Sequence, residues 1–463
     1  MGQQADCQSD FAVKWNLQEG RLPIGRRIPS CPTRAGGDRR NRLSHAVFTS
    51  RVVSLLGLLF TLSSAGRGAS DFYLKDGDTV VFYGDSITDR RLYSVFVETF
   101  AITRFPKLHL RFVHSGYSGD RVSGGFGGSI DVRLNRDVVA YKPTVVTILL
   151  GMNDGEYEPF DAARLRNFST GYEHIVGTLK SALPGVRITL LEPSTYDDVT
   201  RPVGFEGGYN AVLRQYGRVV RELARRENLA VADLNAPTIS MLETAKQVDA
   251  EMAQKLIPDR VHPSEGIHLI MAEALLKAWH APSIVSAVEI DAAAATVSSV
   301  ENTQVSDIDA SNGFGWTQTD EALPMPVEMS EETLALAVHY SDFTEALNRQ
   351  SLKITGLSPG KYSLMIDGSL IGTFKSRRLA HGINLATLKT PMQLQADAVY
   401  GLALRHNHVH FARWRMIEDS FRDYKMSTVE PAVSALDAVE QEALDLLRTT
   451  AQPKARRYHL TKL

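Results

Sequence analysis

Two residues far apart in the chain, Ser86 and His262, are of the types that act together in nucleophilic catalysis. Ser86 lies in the segment VVFYGDSITD, where an apolar run leads directly into Gly-Asp-Ser. A serine hydroxyl attacks poorly until a base removes its proton, and His262 can be that base. Asp259, three residues before His262, can accept a hydrogen bond from the other ring nitrogen and fix its tautomer. Taken alone, Ser86 is also an ordinary helix-capping residue, so the local sequence leaves both roles open.

Two further apolar runs are followed by residues that can stabilise an oxyanion. Gly119 comes shortly after the run LRFVH, and Asn153 comes directly after TVVTILLGM. Attack on a carbonyl places negative charge on its oxygen, and one well-placed donor stabilises that charge by about 3 kcal/mol. The backbone N–H groups of Ser86 and Gly119 and the side-chain amide of Asn153 can supply three donors. Gly119 also has no Cβ to obstruct a substrate.

The elements that must position these residues follow from the hydrophobic pattern. Short runs rich in Val, Ile and Leu alternate with amphipathic segments, which predicts a doubly wound α/β domain with a five-stranded parallel sheet. Ligands of such sheets bind beyond the carboxyl ends of the strands, so the polar residues should converge there. The predicted strands are 79–83, 110–114, 144–150, 187–193 and 229–234, and the predicted helices are near 92–104, 129–140, 162–183, 208–227, 238–256 and 265–280.

The hydrophobic pattern of the sequence changes after the last of these predicted helices. Residues 71–282 carry the α/β pattern, whereas 283–390 contain short strands with good turn signals and are predicted to form a β-rich accessory segment. Residues 391–463 read as a C-terminal helical tail. Residues 1–70 are predicted to be an N-terminal leader with a secretory signal.

Four short blocks in this order closely resemble those of the SGNH, or GDSL, hydrolase superfamily. They are Gly84-Asp85-Ser86, a glycine block ending at Gly119, Gly151-Met152-Asn153-Asp154, and Asp259 with His262. The resemblance covers about residues 76–281 and implies a flavodoxin-like three-layer α/β/α fold and ester hydrolysis. It implies Ser86 as nucleophile, Asp259 and His262 as the rest of a triad, and Ser86, Gly119 and Asn153 as the oxyanion hole. The family usually has Asn where His114 or Ser115 stands here, so we expect the loop to be braced differently.

These observations favour a serine ester hydrolase that acts through an acyl-enzyme on small acyl esters, such as carbohydrate acetyl esters, without metal or cofactor. Tyr157, Tyr196 and Arg201 lie in loops that follow two of the predicted strands, and we expect them to contact the substrate. Their polar and aromatic character favours a small or sugar ester over a long-chain lipid. The alternatives are a lysophospholipase or lipase, and an inactive carbohydrate-binding surface protein with the same core.

The leader and the composition bear on location and partners. Arg51 precedes the apolar run 52–62, which is too short to span a bilayer, since spanning takes about 20 residues. Both cysteines, Cys7 and Cys31, precede this run, so we expect an exported, periplasmic or secreted protein without disulfides, with an uncleaved anchor as the alternative. The net charge of −2 gives no reason to expect nucleic acid as a partner, and the sequence does not indicate an oligomeric state.

Three other motifs admit two interpretations each. His406 and His410 share a helical face and could bind a metal, but we expect partly buried or surface histidines instead. The segment 411–417, FARWRMI, is expected to be a packing stripe, with a carbohydrate-stacking platform as the alternative. The segment 123–129, SGGFGGS, lacks the Lys of a phosphate-binding loop and is expected to pass near the site.

Overall fold

The computed structural model describes residues 72–311 and 313–463. The predicted leader and its signal lie outside the described residues. In the described part of the chain, no helix combines the length and the apolar character needed to cross a membrane.

The first half of the described chain is built around a parallel five-stranded sheet with the strand order β2-β1-β5-β6-β7. These strands are buried along nearly their whole length, as runs of Val, Ile and Leu require when helices cover both faces. The predicted α/β fold is therefore confirmed. The strands of this half are β1 (Thr79–Gly84), β2 (Arg111–Gly116), a short hairpin of β3 (Gly124–Gly125) and β4 (Gly128–Ser129), β5 (Val145–Leu149), β6 (Arg187–Leu191) and β7 (Ala230–Ala232).

The helices that alternate with these strands begin and end close to the predicted residues, with one exception. The helix predicted over 238–256 is two helices, because Asp249 leaves the helical conformation and caps the second one, accepting hydrogen bonds from the N–H groups of Glu251 and Met252. The helices are α1 (Ser86–Asp89), α2 (Leu92–Arg104), α3 (Ile130–Asp137), a 3₁₀ turn (Val139–Tyr141), α4 (Ala162–Ala182), α5 (Tyr209–Glu227), α6 (Asn235–Val248), α7 (Ala250–Lys255) and α8 (Glu265–Ala278).

The accessory segment forms two further sheets, with strand orders β10-β11-β16-β13-β14 and β15-β12-β8-β9. The turn predicted at Asp367-Gly368 joins β13 to β14, and both residues have the positive φ that a tight hairpin turn requires. Its elements are β8 (Ile284–Asp291), β9 (Thr296–Glu301), β10 (Thr303–Asp309), β11 (Phe314–Asp320), α9 (Glu332–Tyr340), α10 (Phe343–Leu347), β12 (Arg349–Thr355), β13 (Lys361–Ile366), β14 (Ser369–Lys375), α11 (Ser376–His381), β15 (Ile383–Asn384) and a 3₁₀ turn (Leu385–Thr387).

The C-terminal tail is helical only as far as Ala451, which corrects the prediction of a helical tail to residue 463. It contains α12 (Pro391–Phe411), a π-helical turn (Ala412–Asp419) and α13 (Val429–Ala451), and then β16 (Arg456–Lys462). Strand β16 inserts between β11 and β13 and pairs antiparallel with both. The side chains of β16 alternate between the two faces of the sheet, as in any strand. Tyr458 and Leu460 point into the core, while their neighbours are more exposed.

A buried ionic cluster joins the C-terminal helices to the α/β domain. The His114 imidazole lies 3.0 Å from the Glu98 carboxylate, and the His406 imidazole lies 3.3 Å from the other oxygen of Glu98. His410 lies 3.4 Å from Glu440. His406 and His410 are thus fully buried, and not partly buried or at the surface as predicted. In the part of the chain that the structure describes, no group of three or more His, Cys, Asp or Glu side chains is arranged to hold a metal ion.

Arg104 links the α/β domain to the accessory segment through backbone carbonyls. Its buried guanidinium donates to the oxygens of Pro282, Ile284 and Leu347 at 2.6, 3.1 and 2.7 Å.

Replacing Arg104 by alanine leaves these acceptors buried without a donor, so we expect the free energy of unfolding to fall by at least about 3 kcal/mol. Urea denaturation should show this loss. The control variant Arg225→Ala, on the exposed face of α5, should change the free energy of unfolding little. Equal stability of the two variants would show that Arg104 does not stabilise the contact between the α/β domain and the accessory segment.

Candidate active site

The turn that follows β1 positions the Ser86 hydroxyl. Gly84 ends the strand, and a Cβ there would lie 2.2 Å from the Thr88 hydroxyl oxygen, so only glycine allows this packing. Asp85 is the N-cap of α1, and its carboxylate accepts the N–H of Ile87 at 3.0 Å. Ser86 is therefore the first helical residue and not the cap, which leaves its hydroxyl available for another contact.

That contact is with His262. The hydroxyl oxygen of Ser86 lies 2.8 Å from Nε2 of His262, and Nδ1 of the same ring lies 2.7 Å from Oδ2 of Asp259. The second oxygen of Asp259 accepts the backbone N–H groups of Val261 and His262 at 3.0 and 2.7 Å. Burial opposes ionisation of this carboxyl, but the hydrogen bonds from His262 outweigh it and lower the pKa of Asp259. The structure thus brings the three predicted residues into one hydrogen-bonded line.

The three predicted oxyanion donors follow the neighbouring strands β1, β2 and β5, at their carboxyl ends. The N–H of Ser86 is the first in α1 and so has no acceptor within the helix. Gly119 has a φ of 78°, a conformation that favours glycine. The Asn153 amide nitrogen donates to the Asp120 carbonyl at 3.0 Å, which uses one of its two hydrogens. The Tyr157 hydroxyl donates to the Asn153 amide oxygen at 2.9 Å and so fixes which way this amide points.

A known family has the same arrangement of blocks. Residues 82–269 match the GDSL-like lipase/acylhydrolase family. Residues 82–269 therefore form a domain of the SGNH, or GDSL, hydrolase superfamily. The resemblance predicted from the four blocks is confirmed.

Two relatives extend this hydrolase assignment. An acetylxylan esterase from Geobacillus stearothermophilus is 29% identical over 224 residues, which cover 43% of this chain and 93% of the relative. The solved structure of a gut microbial diltiazem-metabolizing enzyme is similar over 84% of this chain and 98% of its own, with 26% sequence identity and a TM-score of 0.73. The SGNH protein described here is accordingly a carboxylic ester hydrolase, and its likeness to the second relative extends well beyond residues 82–269.

Burial sets the charge state of the carboxyls around the serine of this hydrolase. Burial raises the pKa of Asp85 to about 8, despite the hydrogen bond from Ile87. Burial also raises the pKa of Asp154 to about 7, although its carboxylate accepts the N–H of Val122. Burial therefore disfavours the ionised form of Asp85 and Asp154, whereas the hydrogen bonds from His262 favour the ionised form of Asp259.

Arg201, a predicted substrate contact, lies against the loop that carries Asp259 and His262. Its guanidinium donates to a carboxylate and to three backbone carbonyls. These acceptors are Asp197 at 2.9 Å, Ile257 at 2.9 Å, Gln254 at 3.1 Å and Pro258 at 2.8 Å. All of them belong to the protein, so the structure gives Arg201 a bracing position behind the catalytic loop, and its contact with substrate stays a prediction.

The two predicted tyrosines form an aromatic cluster beside Asn153. The Tyr157 ring lies 6.1 Å from that of Tyr196 and 5.0 Å from that of Tyr209. Tyr209 is buried and donates to the Met152 carbonyl at 2.7 Å, while Tyr157 remains 40% exposed. Tyr157 can therefore touch a bound substrate and orient Asn153 at the same time.

A buried arginine, which the sequence analysis missed, supports the segment before Gly119. Arg133 donates to the Asp120 carboxylate at 2.6 Å and to the Ser115 carbonyl at 2.9 Å, and it is also paired with Asp137. The Asp137 carboxylate accepts the indole N–H of Trp414 at 2.7 Å. Trp414 is buried, so this ring packs in the interior and is not a platform for sugar stacking, whereas Met416 of the expected packing stripe is 59% exposed.

Proposed function

We propose that this hydrolase is a serine esterase that removes small acyl groups, in particular acetyl groups from carbohydrate esters, through an acyl-enzyme. The observation that carries the proposal is the hydrogen-bonded line from the Ser86 hydroxyl through His262 to Asp259. Such a line allows the serine proton to leave as the oxygen attacks and allows the imidazolium to be stabilised by a carboxylate.

Acylation begins when Ser86 Oγ attacks the ester carbonyl and Nε2 of His262 takes its proton. The tetrahedral oxyanion accepts hydrogen bonds from the N–H groups of Ser86 and Gly119 and from the Asn153 amide. As the intermediate collapses, the bond to the alcohol breaks and His262 returns the proton to the leaving oxygen. The acyl group is then esterified to Ser86.

Deacylation repeats these steps with water as the nucleophile. His262 accepts a proton from water, whose oxygen attacks the acyl carbon in the same oxyanion hole. Collapse breaks the bond to Ser86, which recovers its proton from His262, and the carboxylic acid leaves.

Two observations support a small acyl group on a sugar. The acetylxylan esterase from Geobacillus stearothermophilus aligns over 93% of its own length. The surroundings of Asn153 are aromatic and polar, since Tyr157, Tyr196 and Tyr209 cluster there. A site bordered by aromatic rings offers a sugar a flat face to pack on, whereas a long acyl chain needs a continuous apolar channel.

Graded acyl chains test the proposal. We expect kcat/KM to be highest for p-nitrophenyl acetate and to fall at least about tenfold by the octanoate, because a site without a continuous apolar channel excludes the longer chain sterically. Acetate should also be released from acetylated xylooligosaccharides. A rate that rises steadily to the palmitate, or turnover of lysophosphatidylcholine in preference to acetyl esters, would support a lipase-type activity instead.

A further inference from the structure

The glycine-rich hairpin formed by β3 and β4 places an exposed aromatic ring beside the oxyanion hole. Phe126 occupies the tip of this hairpin, and 88% of its surface is exposed. Its Cδ2 and Cε2 atoms each lie 2.8 Å from the point where a Cβ on Gly119 would stand. The ring is therefore in contact with the backbone of a residue that we assign to the oxyanion hole.

The backbone on either side holds Phe126 in this place. A Cβ on Gly125 would lie 2.9 Å from the Gly119 carbonyl oxygen, and a Cβ on Gly127 would lie 2.7 Å from the Tyr117 ring. Both glycines thus allow the hairpin to lie directly on the segment that carries the oxyanion donor. The hairpin is also tied to the Asn153 block, because the N–H of Val122 donates to the Asp154 carboxylate at 2.9 Å.

The placement of this ring, and not its exposure alone, is what indicates a role. A single exposed apolar side chain is ordinary on a protein surface. Phe126, however, borders the oxyanion hole at Gly119, while the half-exposed Tyr157 borders it at Asn153. Two accessible aromatic rings therefore flank the point where the ester carbonyl oxygen is bound.

We propose that Phe126 is a specificity-determining residue that packs against the sugar ring of the ester's alcohol half. This rests on the proposed function, in which the acyl group is small. An acetyl methyl group stays within one bond of the carbon that Ser86 attacks, so it does not extend to an exposed ring at the rim. The larger alcohol half extends there, and an aromatic side chain offers it a rigid apolar surface with little loss of side-chain entropy.

Ester pairs that differ only in the alcohol test this role. Acetylated xylotriose carries a ring alcohol, whereas ethyl acetate carries an alcohol too short to reach Phe126. In Phe126→Ala, we expect the ratio of kcat/KM for acetylated xylotriose to that for ethyl acetate to fall about tenfold, mostly through KM. Phe126→Leu should lower the ratio by a similar factor, because leucine still fills the space beside Gly119 but has no planar ring. Phe126→Tyr keeps an aromatic ring and should keep the wild-type ratio. Leu370→Ala, an exposed apolar residue on β14, should also keep it.

The outcomes separate this proposal from the one on which it rests. If wild-type protein turns over both esters and Phe126→Ala leaves their ratio unchanged, Phe126 does not contact the alcohol and the proposal is wrong. An equal fall for both esters would show that Phe126 only shapes Gly119, which also overturns it. Wild-type protein that cleaves p-nitrophenyl acetate but not acetylated xylotriose would overturn the carbohydrate part of the proposed function, and this proposal with it.

Discussion

Ser86→Ala is expected to lower kcat/KM for p-nitrophenyl acetate by about 10,000-fold or more. The Ser86 hydroxyl oxygen lies 2.8 Å from Nε2 of His262, while Asp85 is the residue that caps α1. Removing the hydroxyl therefore removes the nucleophile without removing a cap. The donors of the oxyanion hole remain, so weak residual hydrolysis above that in water is expected.

The measurement is the initial rate of p-nitrophenol release, together with labelling by a fluorophosphonate probe. Ser86→Ala should lose both, and Ser181→Ala, on the exposed face of α4, should lose neither. Urea denaturation should place the two variants close to wild type, because neither serine carries a structural hydrogen bond that the fold depends on. More than a few per cent of wild-type activity in Ser86→Ala would remove Ser86 from the mechanism.

The triad and the sheet could be predicted from the sequence because their signals are local. Ser86 follows the buried strand β1 after one residue, Asn153 follows β5 after three residues, and the general rule for parallel sheets brings such positions to one edge. Asp259 and His262 are three residues apart, so a single turn suffices to pair them. These residues could be predicted without knowing how distant segments of the chain pack together.

Other parts of the site depend on contacts between segments far apart, which a local pattern does not reveal. The sequence SGGFGGS predicts only a loop near the site; that its phenylalanine lies on Gly119 follows from how the hairpin packs. Arg133 appears in sequence as one of several basic residues on a helix, and its burial depends on Asp120 and Ser115 reaching it. Strand β16 was missed because its partners lie far away in the chain, β11 about 140 residues earlier and β13 about 100 residues earlier.

Asp259→Asn is expected to lower kcat by about 1,000- to 10,000-fold with a smaller change in KM. The reason is specific to the geometry of this turn. One oxygen of Asp259 accepts two backbone N–H groups, from Val261 and His262, and the other faces Nδ1 of His262. In the asparagine variant the carbonyl oxygen must stay with the two N–H donors, which turns the amide NH₂ toward Nδ1.

Nδ1 must then accept a hydrogen bond, and the ring proton moves to Nε2, which faces Ser86 and can no longer act as a base.

A second aspartate–histidine pair provides the matched control. Asp76 accepts both the backbone N–H of His109 at 2.7 Å and its Nδ1 at 2.9 Å, ahead of β1 and β2 and thus at the opposite edge of the sheet from the triad. Asp76→Asn makes the same chemical change there and should leave kcat at the wild-type value. If Asp259→Asn kept more than about a tenth of wild-type kcat, the tautomer of His262 would not depend on Asp259, and the carboxylate would serve only to hold the turn.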